Sequence, residues 1–579
     1  MPVGPGQNRA LACARHVVHR AASPLCVQRL SLTAVYKDPE ALKSPGAAEH
    51  DKLTGMTGAP PAGPPPMPPG SLEAWAMETP LATALSDRRR SVDWATWNDR
   101  ANRLANALEQ ELGLAAGGRA AVRLRNRVEW FEVGSALAKV GAAPVPVGTR
   151  LTADEVAYIV GHSGAQLFVT DDPEMARAAS SFRGDALRAT ILVGGDAPDG
   201  VPNLEELIRA GQSVPRVAGP PIGAKNISYT SGTTGRPKGA VRSYTPQQLQ
   251  ALGAIVATIN TKLRLGSDEK HLVVAPLYHA APSFCAQQAS RAGGHLMLHE
   301  RFDAEAALEE MGRGVTSTFM VPTMVRRILA LPEERLRTTD LSSLRALILG
   351  GAPFPAEMRA PAQEVLGEVL FDMYGSTETG FATMLEPADQ VRKAASVGRP
   401  LDGVDVLLLD EEHRPVAQGE RGVFFIRSPM QVNGYHADEE ATAESAHKDY
   451  FTAGDVAYED DEGFLYIVDR IKDMILVGGA NIYPAEIEQV LRAHPAVLDA
   501  AVFGIPNEDL GEEIKAIVEL APGETAEPEE LIAHCGERLA KNKWPRSIDF
   551  LAELPRNPTG KVLKRELRAP WWEGRDRSI

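Results

Sequence analysis

The run Y-T-S-G-T-T-G-R-P-K-G-A, from Tyr229 to Ala240, gathers small flexible residues, hydroxyls and a cation into one segment. Thr230, Ser231, Thr233 and Thr234 offer hydroxyl donors, and Lys238 supplies a point charge. Gly232, Gly235 and Gly239 let successive backbone N–H groups converge into an anion-binding nest. Such a nest suits a polyphosphate. A flexible surface loop is the plainer alternative, yet loops of that kind rarely end in R-P-K-G. The run is not a Walker A loop, because Gly235 is followed by Arg236 where that motif needs Lys. The G-x-G pairs at Gly4 and Gly312 do not continue to a third glycine, so no dinucleotide fingerprint is present either. Another kind of nucleotide site is required.

The segment T-S-G-T-T-G-R-P-K-G resembles the phosphate-binding signature of the acyl-adenylate-forming superfamily, which includes acyl-CoA synthetases, luciferases and peptide-synthetase adenylation domains. The other family motifs stand in order. Pro276 to Ala280 reads P-L-Y-H-A, Gly350 to Pro353 reads G-G-A-P, and Asp372 to Glu378 reads D-M-Y-G-S-T-E. Tyr450 to Asp455 reads Y-F-T-A-G-D, Asp469 to Glu486 reads D-R-I-K-D-M-I-L-V-G-G-A-N-I-Y-P-A-E, and Pro555 to Lys564 reads P-R-N-P-T-G-K-V-L-K. The resemblance runs from Ser71 to the C-terminus.

What it implies can be set beside the residues themselves. ATP or AMP would lie against the Thr230–Gly235 run with Lys238, against Gly351, Ala352 and Pro353, and against Asp372, Met373, Tyr374, Gly375, Ser376 and Thr377. Tyr374 offers an aromatic face to adenine, Gly351 allows close backbone approach, and Thr377 can donate to the α-phosphate. Glu378 is a hard oxygen ligand for Mg²⁺. Asp455 resembles the acceptor of ribose hydroxyls, assisted by Arg470, although Ala453 stands where Thr or Ser is usual. Lys561 matches the family's catalytic lysine, acting with Lys238, Thr377 and Glu378; Lys564 lacks the preceding glycine and matches less well. Lys472 matches the hinge about which the C-terminal domain is believed to swing. Gly478, Gly479 and Ala480 match the loop lining the CoA channel, where Val477 and Ala480 replace commoner polar residues, and Asn542 stands where an aromatic is frequent. His279 resembles the residue between acyl pocket and CoA tunnel, with Ala280, Ala281 and Phe284 lining the pocket.

The elements that must position these groups follow from hydrophobic pattern. Short apolar runs (Ala121–Leu124, Leu167–Thr170, Thr190–Val193, Leu272–Ala275, Thr318–Val321, Ala346–Leu349) alternate with helical spacings such as Trp97, Ala101, Leu104 and Leu108. This predicts an α/β fold with largely parallel sheets. Val406–Leu409 and Val423–Ile426 are separated by turn residues, which predicts a barrel-like β subdomain. After Arg470, helices around Ile487, Val490 and Leu491 and around Leu531, Ile532, Cys535 and Leu539 flank a strand at Ile514, Ala516 and Val518. The expected organisation is a leader with a Pro-rich linker over 1–70, a large AMP-binding domain over 71–470, and a small, mobile α+β domain over 471–579.

Bulk properties narrow the function. The 579 residues carry a formal charge of -15, which disfavours nucleic acid as a partner. The four cysteines (Cys13, Cys26, Cys285, Cys535) lack C-x-x-C spacing, so neither a disulfide framework nor a zinc site is indicated. No apolar run is long enough to span a membrane. Arginines 9, 15, 20 and 29 precede any acidic residue, the bias of a mitochondrial transit peptide; a wrongly assigned start, with Met56, Met67 or Met77 as the true one, accounts for it equally. A cytoplasmic location is expected, and the mitochondrial matrix if the leader is real.

The expected activity is that of an acyl-CoA synthetase: ATP, Mg²⁺ and a carboxylic acid, of medium or long chain, give an acyl adenylate, and CoA then takes the acyl group. Aryl or steroid acids, or a carrier-protein acceptor, are alternatives within the fold, and a homodimer is compatible with it. Fatty acyl-AMP ligases carry an insertion before the hinge that residues 433–471 lack. A serine hydrolase is the alternative from another class, since Gly161 to Ala165 reads G-H-S-G-A, one glycine short of a nucleophile elbow.

Overall fold

The computed structural model describes residues 68–182, 186–219, 225–230, 237–556 and 560–573. Ser231, Gly232, Thr233, Thr234 and Gly235, and nearly all of the 1–70 leader, lie outside them.

A nine-stranded sheet organises the large N-terminal domain. Its centre runs Leu370–Ser376, Ala346–Leu349, Ser317–Met320, Lys270–Val273, His295–Leu298 and Thr83–Ser86, all parallel; Gly380–Leu385, Arg399–Pro400 and Ser91–Asp93 add antiparallel margins. Buried on both faces, the inner strands read as unbroken apolar runs, A-L-I-L at Ala346–Leu349 being fully enclosed. A second, all-parallel sheet orders Ala143–Pro146, Arg119–Arg123, Leu167–Thr170 and Ala189–Leu192.

Helices cover the faces because their stripes demand it. Trp94–Gln110 starts where the Asp93 carboxylate accepts the Thr96 N–H at 2.7 Å, and it buries Trp97, Ala101, Leu104 and Leu108 at the expected spacing. Ala153–Ser163 opens on a reciprocal capping box of Thr152 and Glu155.

The expected antiparallel subdomain is a five-stranded sheet built on Asp405–Leu409, Gly422–Arg427, Tyr450–Glu459 and Leu465–Arg470, with Ala446–His447 at its edge. A third strand, Gly434–Tyr435, joins the hairpin Asn226–Thr230/Lys238–Arg242. The smaller C-terminal domain pairs Val497–Asn507 with Gly511–Leu520 and packs the helices Pro484–Arg492 and Pro528–Gly536 against them. The second of these ends at Gly536, so Leu539, expected within it, lies just beyond.

No described helix is long and apolar enough to cross a membrane. Ser163 does not form a nucleophile elbow: it closes the helix Ala153–Ser163, is fully buried, and donates to the Val160 carbonyl at 3.2 Å.

Candidate active site

Four neighbouring parallel strands end on one edge of the large sheet, and the chain leaves each of them through a segment of interest. His279 follows Lys270–Val273, Thr323 follows Ser317–Met320, Gly351–Pro353 follow Ala346–Leu349, and Tyr374–Glu378 close Leu370–Ser376. Ligands in open α/β sheets bind outside the carboxyl ends of strands. Gly351 turns with φ +83°, and Gly375 lies so close to the Gly380 carbonyl that a Cβ would sit 2.1 Å from it.

On this edge Tyr374 is held from two sides. Its ring stacks on Phe424 with centroids 5.6 Å apart, and its hydroxyl donates to Asp455 Oδ2 at 2.5 Å. Arg470 Nε donates to the other Asp455 oxygen at 2.8 Å. Burial, then the Asp455 carboxylate, pushes the Tyr374 phenol well above its ordinary value, while Asp455 raises the Arg470 guanidinium. Both groups therefore keep their protons at any working pH. Asp455 and Arg470 face each other across paired strands, which brings two distant motifs together.

The hairpin beside this edge supplies Lys238, whose Nζ lies 3.6 Å from Asp438 Oδ2 and 5.4 Å from the Tyr435 ring centroid. Tyr435 in turn donates to Glu378 Oε1 at 3.1 Å. Arg242, at the end of the Lys238 strand, donates to the carbonyls of Met430 at 2.7 Å and of Thr377. Lys472 stands among these groups: burial and the positive charges of Lys238 and Arg470 lower its ammonium, against the pull of Glu378 and Glu444.

The C-terminal domain reaches the same place. A Cβ on Gly560 would lie 2.8 Å from the Thr323 hydroxyl, so the loop carrying Lys561 rests on the carboxyl edge of the sheet. Burial, with help from Arg470 and Lys564, pulls the Lys561 ammonium down to about 8, while Asp455 and Asp473 oppose the shift. Its side chain nonetheless remains exposed to solvent. Lys564 is turned the other way and pairs with Glu488 at 2.7 Å.

Lys238, Tyr374, Thr377, Glu378, Asp455, Arg470, Lys472 and Lys561 therefore converge. Other expected residues lie elsewhere. The Asp372 side chain is buried against Arg359 at 2.7 Å, and Met373 is enclosed in the core, so neither side chain reaches the crevice. Successive side chains of the strand point to opposite faces of the sheet, and both faces are covered from Leu370 to Met373, so these two are enclosed before the chain opens at Tyr374. Gly478 and Gly479, with φ +57° and +82°, turn the hairpin Ile475–Val477/Ala480–Ile482, and the Gly478 N–H is spent on Leu510 of the same domain.

His279 precedes the helix Ala280–Arg291, and its Nε2 is buried without a hydrogen-bond partner among the described residues. Burial takes its imidazole down to about 4, leaving it neutral at neutral pH. Phe284, one turn on, meets Phe381 edge-to-face at 5.3 Å.

Sequence reasoning missed Tyr435, Asp438 and Arg242. Their only signal is an aromatic following a glycine in a turn-rich stretch and an arginine on a strand, both too common to stand out.

Comparison with known proteins identifies the family. The profile of the AMP-binding enzymes matches residues 72–436, and that of the AMP-binding enzyme C-terminal domain matches residues 486–561. A feruloyl-CoA synthase of Amycolatopsis is 36% identical over 500 residues, covering 85% of this chain and 96% of its own. A long-chain-fatty-acid–CoA ligase of Mycobacterium tuberculosis is 35% identical over 485 residues, 82% of this chain and 92% of its own. Among solved structures, the o-succinylbenzoate CoA synthetase of Bacillus subtilis with its acyl-adenylate intermediate superposes with a TM-score of 0.75 at 29% identity, over 86% of this chain and 98% of that one. This chain belongs to the AMP-binding enzyme family, on the CoA-ligase branch of the acyl-adenylate-forming superfamily.

Proposed function

We propose that the enzyme is an AMP-forming carboxylate–CoA ligase whose acid is a fatty acid of medium or long chain. The observation that supports this best is the meeting of Lys238, Glu378, Asp455, Arg470 and Lys561, drawn from both domains, at one sheet edge.

In this reading ATP lies with its adenine near Tyr374 and Gly351–Pro353 and its ribose hydroxyls on Asp455. Lys238 and the hydroxyl-rich run before it take the β- and γ-phosphates, and Thr377 takes the α-phosphate. The acid attacks the α-phosphorus, pyrophosphate leaves, and the Lys561 ammonium neutralises charge between carboxylate and α-phosphate. The protein thus positions reactants and balances charge, as phosphoryl transfer requires. Glu378 suits magnesium because its carboxylate, oriented through one oxygen by the Tyr435 hydroxyl, is a hard anionic oxygen donor. Magnesium, bound with the triphosphate, would lower the charge on the leaving pyrophosphate.

The second half-reaction needs the thiol of CoA to displace AMP. Lys561 at the crevice suits adenylation; movement about Lys472 would withdraw it and bring Gly478–Ala480 into play. Phe284, Phe381 and the small Ala280 and Ala281 give the acid an apolar setting. An aromatic acid is the second reading, favoured by the similarity to the feruloyl-CoA synthase.

The test is a panel of aliphatic and aromatic acids, followed first for pyrophosphate release and then for thioester with CoA. Both products should form with one class of acid. Pyrophosphate release with no CoA thioester, and acyl transfer to a phosphopantetheinylated carrier protein instead, would overturn the choice of acceptor.

A further inference from the structure

Resting on the adenylating role just proposed, the geometry points to Tyr435 as a positioning residue that sets Glu378 and Lys238 against each other at the triphosphate end of the crevice. Tyr435 belongs to a strap of chain that bonds to both walls. On one side, the Val432 N–H donates to the Glu378 carbonyl at 2.7 Å. On the other, the Asn433 N–H donates to the Val241 carbonyl at 2.8 Å and the His436 N–H to the Gly239 carbonyl at 2.7 Å, with Tyr435 opposite Ala240 in the ladder. The strap therefore spans from the loop that ends Leu370–Ser376 to the hairpin that carries Lys238.

From this fixed base the side chain serves both charged groups. Its hydroxyl donates to Glu378 Oε1 at 3.1 Å, which orients the carboxylate. Its ring lies beneath the Lys238 ammonium, 5.4 Å from the centroid, where the negative face of the aromatic attracts a cation. Asp438, three residues on, takes the same ammonium at 3.6 Å. Groups that bond the back of a metal-binding carboxylate fix its orientation, and losing one costs about tenfold or more in metal affinity. A purely structural role is the competing explanation, because the ring also packs edge-on against Phe451 at 5.9 Å.

Two variants separate these roles. Y435F keeps the ring and its packing and removes the hydroxyl; Y435L removes the ring as well. ATP is titrated calorimetrically into each variant and into wild type, with and without Mg²⁺, beside the KM for the organic acid. For Y435F we expect the enhancement of ATP binding by magnesium to fall about tenfold, with magnesium-free ATP binding, the acid KM and the thermal midpoint unchanged. Y435L is expected to weaken magnesium-free ATP binding too, through Lys238; if it does not fold, Y435F decides alone. A Y435F protein that binds ATP as wild type does in both conditions, or loses affinity equally in both, refutes the positioning role. Failure of the wild type to release pyrophosphate with any acid would instead refute the proposed function, and the nucleotide titration would still judge Tyr435.

Discussion

Two charged clusters in the large domain differ in what their charges do. Around Glu132, which has no exposed surface, Arg90 donates at 2.9 Å and Arg100 at 2.7 Å, while Arg100 also donates to Glu205 at 2.5 Å. Beside them Arg127 meets Glu129 at 2.7 Å; burial alone would raise the Glu129 carboxyl, but Arg127 and Arg90 hold it down to about 2. Every charge there faces its opposite. At the crevice the cations also crowd one another: Lys238, Lys472, Arg470 and Lys561 lie among the carboxylates of Glu378, Asp438, Glu444, Asp455 and Asp473, yet burial and then the neighbouring cations pull the ammonium groups of Lys472 and Lys561 down. A cluster that folding alone required would not crowd like charges. Such crowding is relieved when a polyanion arrives, which is why perturbed groups mark functional sites better than ion-pair counts do.

The largest effect is expected from Lys561→Ala, which removes a charge-stabilising contact worth roughly 3 kcal/mol, about a hundredfold or more in the rate of acyl-adenylate formation. Thioester formation from supplied acyl-AMP should persist, and equal loss in both halves would contradict the separate use of Lys561. Next is Glu132→Ala, where two arginines lose a buried partner: about 3 kcal/mol of stability should disappear in chemical denaturation, with the activity of the folded fraction retained. If this variant loses activity and not stability, the two clusters are not different in kind.

A smaller effect is expected from Glu378→Gln. The magnesium concentration at half-maximal pyrophosphate release should rise about tenfold, the order of one charged hydrogen bond or ligand, while the acid KM holds. Smallest is the pH response. The Lys561 ammonium is held below the ordinary lysine value and loses its charge as pH rises, so kcat/KM for the adenylation step should fall on the alkaline side, earlier than an unperturbed lysine would make it. Lys561→Ala should lack this alkaline limb.

Much of the scaffold was legible because its inner strands are enclosed on both faces. Leu167–Thr170 and Ala346–Leu349 were expected with the bounds that they have, since a short unbroken apolar run between turn residues has few other uses. Lys238, Glu378, Asp455 and Lys561 were readable as types in ordered motifs, but their meeting was not; it depends on four strands ending together and on Gly560 resting against Thr323. Asp372 and Met373 show the opposite failure: a motif is read as one string, yet the strand turns these side chains into the core before it opens at Tyr374. Tyr435 escaped because its partners are 57 residues upstream at Glu378 and further still at Lys238, a pairing that no local pattern encodes.

The most direct measurement of the central claim is the exchange of labelled pyrophosphate into ATP by purified enzyme with magnesium and a panel of organic acids. Exchange should depend on the acid and fall by about a hundredfold or more when Lys561 is replaced by alanine. Exchange that needs no acid, or none with any acid while the protein remains folded, would contradict it.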